Sequence, residues 1–170
     1  MNKIYKILLL IILINKSILP QNSEKNVLVL HSYHKGLSWT EQVIEGIESV
    51  FNNKVLTTYN IKIFYEYMDT KRFEDENYLQ LLIPIYKYKA QKIKYDVIIA
   101  VDDNALNFLL KHRNQIFGEI PIVFCGINFY DETRIHTIKN ITGVVEAFSA
   151  KENIELILKL HPNTNHIVVV

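Results

Sequence analysis

The chain has 170 residues, 49% of them hydrophobic and 22% charged, with a single cysteine. That length buries one good core, or one lobe and part of another, and the composition excludes a disordered or low-complexity chain. Three of the 19 basic residues, Lys3, Lys6 and Lys16, fall in the first 22 positions, where no acidic residue occurs, so the remainder carries 16 basic against 18 acidic groups and offers no basic face for nucleic acid.

The opening MNKIYK and the apolar run Ile7 to Ile14 have the positive start and short hydrophobic stretch of a signal peptide, well short of the roughly 20 residues that span a membrane. Residues 1–22 are read as a signal peptide or, because Asn15 to Asn22 holds no small-residue cleavage pair, as an uncleaved N-terminal anchor extended by Ile18 and Leu19. Export to a periplasmic or other extracytoplasmic location is expected. No cysteine follows the run, which argues against a lipoprotein anchor.

After the polar spacer Gln21 to Asn26, Val27 to Leu30 predicts a buried strand that opens into His31, Ser32, Tyr33, His34, Lys35 and Gly36. From Ser38 or Thr40, the spacing of Val43, Ile44, Ile47, Val50 and Phe51 predicts an amphipathic helix with Glu41, Glu45 and Glu48 outward. The alternation from Ile61 to Tyr67 predicts a less buried strand nearer the sheet edge, with Asp69 to Arg72 at its tip. Glu74 to Ile93 has helical spacing interrupted by Pro84, which predicts a kink or two shorter helices.

Val97 to Val101 is the composition of a strand buried on both faces, and it ends in Asp102, Asp103 and Asn104. Asp103 or Asn104 is expected to cap a helix over about 104–115. A fourth buried strand is predicted at Ile120 to Phe124, ending at Cys125, Gly126, Ile127, Asn128 and Phe129, with Cys125 read as a small buried hydrophobe. A polar stretch leads to Ile141 to Glu146, a helix over Lys151 to Leu160 and a last strand over Ile167 to Val170. Alternating strands and helices predict a doubly wound parallel α/β sheet. A final strand with nothing over it is read as a truncated chain or half of something larger.

In such a sheet, ligands bind outside the carboxyl ends of the strands. Three tips should therefore converge: His31 to His34, Asp102 to Asn104, and Gly126 to Phe129. With Tyr33, Trp39 and Phe129 alongside, they supply carboxylate, amide and aromatic groups suited to a small polar or zwitterionic molecule with an apolar part. The same residues could form a hydrolase with Ser32 as nucleophile, His31 or His34 as base and Asp102 as orienting group, but there is no G-x-S-x-G turn. His31, His34 and Asp102 form only a weak metal pattern, and His112, His136, His161 and His166 read as surface or turn residues. No G-x-G-x-x-G or phosphate-binding loop occurs, and no cofactor is expected.

The segments VLVLHSYHKGLSWT, EYMDTKR, YDVIIAVDDNALNFLL, IPIVFCGINFYD and NITGVVE, taken in order, resemble the substrate-binding-like sensor domains of the periplasmic binding protein class I superfamily, related to ABC transporter substrate-binding proteins. The resemblance covers about Asn26 to Val170. It implies a non-enzymatic protein of two α/β lobes closing on a small-molecule ligand, in some members an amino acid and often an aromatic one. Residues 26–146 would form the N-terminal lobe and 147–170 the start of an incomplete second lobe. It further implies a membrane permease, or a fused histidine kinase or diguanylate cyclase module, as partner. By position it places His31, Ser32, Tyr33 and Trp39 at one wall of the cleft, Asp102, Asp103 and Asn104 at its floor, Asn128 opposite and Glu146 at the hinge.

Overall fold

The computed structural model describes residues 24–53, 59–128, 130–146 and 149–168. The expected signal peptide or anchor over 1–22, Phe129 and the last two residues of the expected final strand lie outside the described residues. In chain order the elements are β1 (Glu24–His31), α1 (Ser38–Phe51), β2 (Asn60–Tyr67), α2 (Glu76–Lys92), β3 (Val97–Val101), α3 (Asp103–Ile116), β4 (Ile122–Ile127), the single turn α4 (Glu132–Ile135), β5 (Ile141–Val145) and α5 (Ala150–Leu160).

The five strands form one parallel sheet in the order β2-β1-β3-β4-β5. The apolar run of β1 lies inside the sheet, between β2 and β3, and Val27 to His31 are each at most 3% exposed. Side chains of a strand alternate between the two faces, so Leu28 and Leu30 join one core cluster while Val27 and Val29 join the other. Trp39, Val43, Ile47 and Phe51, one helical turn apart along α1, cover the second cluster. On the first cluster lie Leu82, Ile83 and Tyr86 of α2 and Leu106, Phe108 and Leu109 of α3. Each such side chain, fully buried, contributes about 1.5–3 kcal/mol of transfer free energy. β2 is an edge strand, and its partial burial matches the alternation of its sequence.

Of the kink or two shorter helices expected at Pro84, the two helices do not form: residues 76–92 are one continuous helix, and Pro84 and Gln80 are both exposed, so water can take the carbonyl bond that proline cannot make. Three further expectations need correction. β4 runs over Ile122–Ile127, not 120–124: the ladder with β3 starts at Ile122, and Pro121 contributes only its carbonyl, to Ile98 N. His112 is 8% exposed rather than on the surface, because it follows Phe108 by one turn and their rings meet at 5.1 Å. Ile167 and Val168 form no strand, and Val168 is 81% exposed. By contrast His136, His161 and His166 are exposed, as expected.

Candidate functional site

The strand order places β1 and β3 side by side, with the chain leaving their carboxyl ends in opposite directions, toward β2 and toward β4. In open α/β sheets such a reversal is where a crevice lies outside the carboxyl ends of the strands. Ser32 fills its floor. The Ser32 hydroxyl donates to Val101 O at 2.9 Å and accepts from Ala105 N at 2.8 Å, satisfying one of the amides that the first turn of α3 leaves unpaired. Ser32 is 0% exposed.

Above this floor the residues predicted from the three tips meet. The Tyr33 hydroxyl donates to Asp102 Oδ2 at 2.7 Å, and Asp103 Oδ2 accepts from the backbone N of Asn128 at 3.1 Å and from its Nδ2 at 3.4 Å. β1, β3 and β4 are thus linked across their tips by side chains of the predicted set. Trp39 meets Tyr33 edge to face with centroids 5.6 Å apart, and its indole lies against Gly126. A Cβ on Gly126 would stand 2.8 Å from Trp39 Cζ2, and its φ of +68° also suits glycine, so the absent side chain is what lets the ring seat on the β4 tip.

Asp102, not Asp103 or Asn104, is the residue that caps α3, with its Oδ1 accepting from Asn104 N at 3.4 Å. Its φ of +77° and ψ of 164° lie where few non-glycine residues are found. The carboxylate is 4% exposed and forms no ion pair among the described residues. Burial foremost, then the hydrogen bond to Asp102 and the charges of Asp102, Asp103 and Glu146, raise the Tyr33 phenol far above its usual range, which keeps it a neutral donor. Glu146 follows β5, and its backbone N donates to Ile127 O at 2.9 Å. Half-buried Cys125 packs on the α1-side cluster; burial first and Glu146 second push its thiol up.

His31 does not reach the crevice. It is 0% exposed and points toward α1, its ring stacked on Tyr67 at 5.3 Å and on Tyr65 at 6.2 Å. Both ring nitrogens lack a hydrogen-bond partner among the described residues. Burial, opposed by Glu41, lowers its pKa to about 4, so the ring is neutral at pH 7. His34 turns the other way, its Nδ1 3.4 Å from Asp69 Oδ1. Among the described residues no three His, Cys, Asp or Glu side chains are placed to hold a metal ion.

Sequence reasoning placed Asp69 to Arg72 at the β2 tip but left them out of the site. Buried Thr70 donates through both its backbone N and its Oγ1 to Ser32 O, each at 2.8 Å, and accepts from Asn104 Nδ2 at 3.0 Å. Lys71 then places its ammonium 4.5 Å from the centroid of the Tyr33 ring. The signal lay in the polar DTKR that ends an otherwise alternating strand.

The opposite ends of the strands carry a cavity of about 410 Å3, lined by Ile93, Tyr95, Ile116, Phe117, Ile120 and Pro121 among others. Its carboxylate is already engaged: Asp96 accepts from Lys25 Nζ and from Asn26 N, both at 2.9 Å. The side chains linked across strand tips are at the rim, not in this cavity. Among the described residues no helix is long and apolar enough to cross a membrane. Compared with models of known protein families and with curated proteins, the chain matches none.

Proposed function

We propose that this chain is an exported solute-binding protein, similar to ABC transporter substrate-binding proteins, that takes a small zwitterionic molecule of the amino-acid class at the crevice above β1 and β3. The observation that carries this reading is the linkage of three strand tips on one rim, Tyr33 to Asp102 and Asp103 to Asn128, with Trp39 seated beside them. Carboxylates and amides suit an ammonium group, and the two aromatic rings suit an apolar side chain.

Tyr33, Trp39, Asp103, Asn104 and Asn128 have surface to offer a ligand, whereas His31, Ser32 and Asp102 stand behind them and fix their positions. The bare apolar surface of β5 and α5, where Val144 is 70% and Leu160 64% exposed, supports reading residues 26–146 as one lobe of a doubly wound, two-lobed protein, with Glu146 at the hinge. Ligand bridging the lobes would shift an open and closed equilibrium, and the closed form would be the one recognised by a membrane permease. A hydrolase built on Ser32 is disfavoured, since its hydroxyl is covered and already both donates to Val101 O and accepts from Ala105 N.

The test is a thermal-shift screen of the full chain against the common amino acids. A ligand that binds only the folded state raises the melting midpoint in proportion to the logarithm of its concentration above Kd. A concentration-dependent rise with at least one amino acid is expected; no rise with any of them removes the substrate class.

A further inference from the structure

We infer that Lys71 is the anchor for the ligand's carboxylate, so that a zwitterion lies across Tyr33 with its acid toward the β2 tip and its ammonium toward the carboxylates of the β3 and β5 tips. This assignment rests on the rim being the binding site and adds to it the orientation of the ligand and the residue that selects for an acid group.

Two backbone irregularities flank the β1 tip, Asp69 at φ +56° on one side and Asp102 at φ +77° on the other. Each delivers a charged group to the same tyrosine. From the β3 side comes the Asp102 carboxylate at the Tyr33 hydroxyl, and from the β2 side the Lys71 ammonium over the ring face. Asp103 and Glu146 add negative charge at the hydroxyl end, since both act on the same phenol. The field across the ring therefore runs from positive at the β2 side to negative at the β3–β5 side, which is the field that orients a zwitterion.

Arg72, the neighbouring cation in the same turn, is already engaged: its Nη1 lies 3.2 Å from Asp69 Oδ2. Lys71 has no carboxylate partner among the described residues, only a cation–π contact with the face of the half-buried Tyr33 ring. A ligand carboxylate would hold it more strongly, through a charge-assisted hydrogen bond.

The anchor point of Lys71 is fixed even though its side chain is exposed. Thr70 donates twice to Ser32 O, and the backbone amides of Arg72 and Phe73 both donate to Asp69 O, so the turn carrying Lys71 is tied to the crevice floor. The ammonium can thus swing from the Tyr33 face to an incoming acid with little loss of order in the main chain.

The test uses the full chain with three matched probes: L-phenylalanine, phenethylamine, which lacks the acid, and 3-phenylpropionate, which lacks the amine. Trp39 is the sole tryptophan and edges onto Tyr33, so its emission reports occupancy of the rim. In the wild type, L-phenylalanine should bind tighter than phenethylamine by about tenfold or more, the worth of one charge-assisted hydrogen bond. Lys71→Met should abolish that advantage and leave phenethylamine unchanged, and Lys71→Arg should restore most of it. Unchanged melting midpoints of both variants without ligand would show that the turn is intact. If Lys71→Met binds L-phenylalanine as the wild type does, or weakens the acid-bearing and acid-free probes alike, the Lys71 assignment is overturned while the binding site stands. If none of the probes perturbs Trp39 in the wild type, the rim reading falls and Lys71 with it.

Discussion

At the amino ends of the strands Asp96 meets Lys25 at 2.9 Å, whereas at the carboxyl ends Asp102 meets a neutral phenol at 2.7 Å and a backbone amide at 3.4 Å. Both carboxylates have their hydrogen bonds. Only the first has its charge cancelled. Satisfying lone pairs and neutralising charge are separate matters, and a fold that does the first without the second leaves a field for something else to complete. The foot of the sheet therefore has a cavity whose carboxylate is already paired, whereas the rim keeps a carboxylate whose charge is not cancelled.

The comparison breaks most sharply at Gly126. Gly126→Ala places a Cβ against the Trp39 ring at a left-handed backbone position, which should cost about 2–4 kcal/mol and shift the Trp39 emission. Chemical denaturation followed by fluorescence reads both. An alanine at the exposed Gly118 of the foot meets no neighbouring atom and bears only the backbone part of that cost, with Trp39 unmoved.

Next in size is the effect of pH. The folded-state pKa of His31 lies near 4, below its ordinary 6.5, so the unfolded chain binds more protons between those values. The stability that His31 contributes as a neutral ring is complete above about pH 6.5 and falls as the pH drops toward 4, by a loss on the order of 3 kcal/mol. His31→Phe should flatten the pH dependence of the melting midpoint over that window; an unchanged slope would assign it to other groups.

Smaller still is Ser32→Ala, which leaves Ala105 N without its acceptor while Val101 O keeps the bond from the Ser32 amide. A loss of about 1–3 kcal/mol is expected, measured by equilibrium denaturation. At the foot, Asp96→Asn should move the midpoint least, because the Lys25 pair is solvent-screened, and should leave rim binding untouched.

Much of this organisation was legible in the chain. Val27 to Leu30 and Val97 to Val101 are unbroken apolar runs, and only a strand covered on both faces explains them; the mixed alternation of Ile61 to Tyr67 marked the sheet edge. The convergence of Tyr33, Asp102, Asp103 and Asn128 followed from strand polarity alone. What could not be read was direction within a tip. His31 and Ser32 are adjacent, yet strand alternation sends His31 under α1 while Ser32 turns into the crevice floor. The cap shifted to Asp102 because its backbone adopts a conformation that sequence gives no reason to expect. His112 was legible in hindsight, since Ala105, Leu109, His112 and Ile116 recur at helical spacing on the buried face.

The most direct test is amide hydrogen exchange of the full chain with and without saturating L-phenylalanine. Slower exchange is predicted over residues 32–40, 103–105 and 126–128, with 93–96 and 116–121 unchanged. Protection confined to the foot, or none at either end, would contradict the assignment of the rim as the place where this protein meets its ligand.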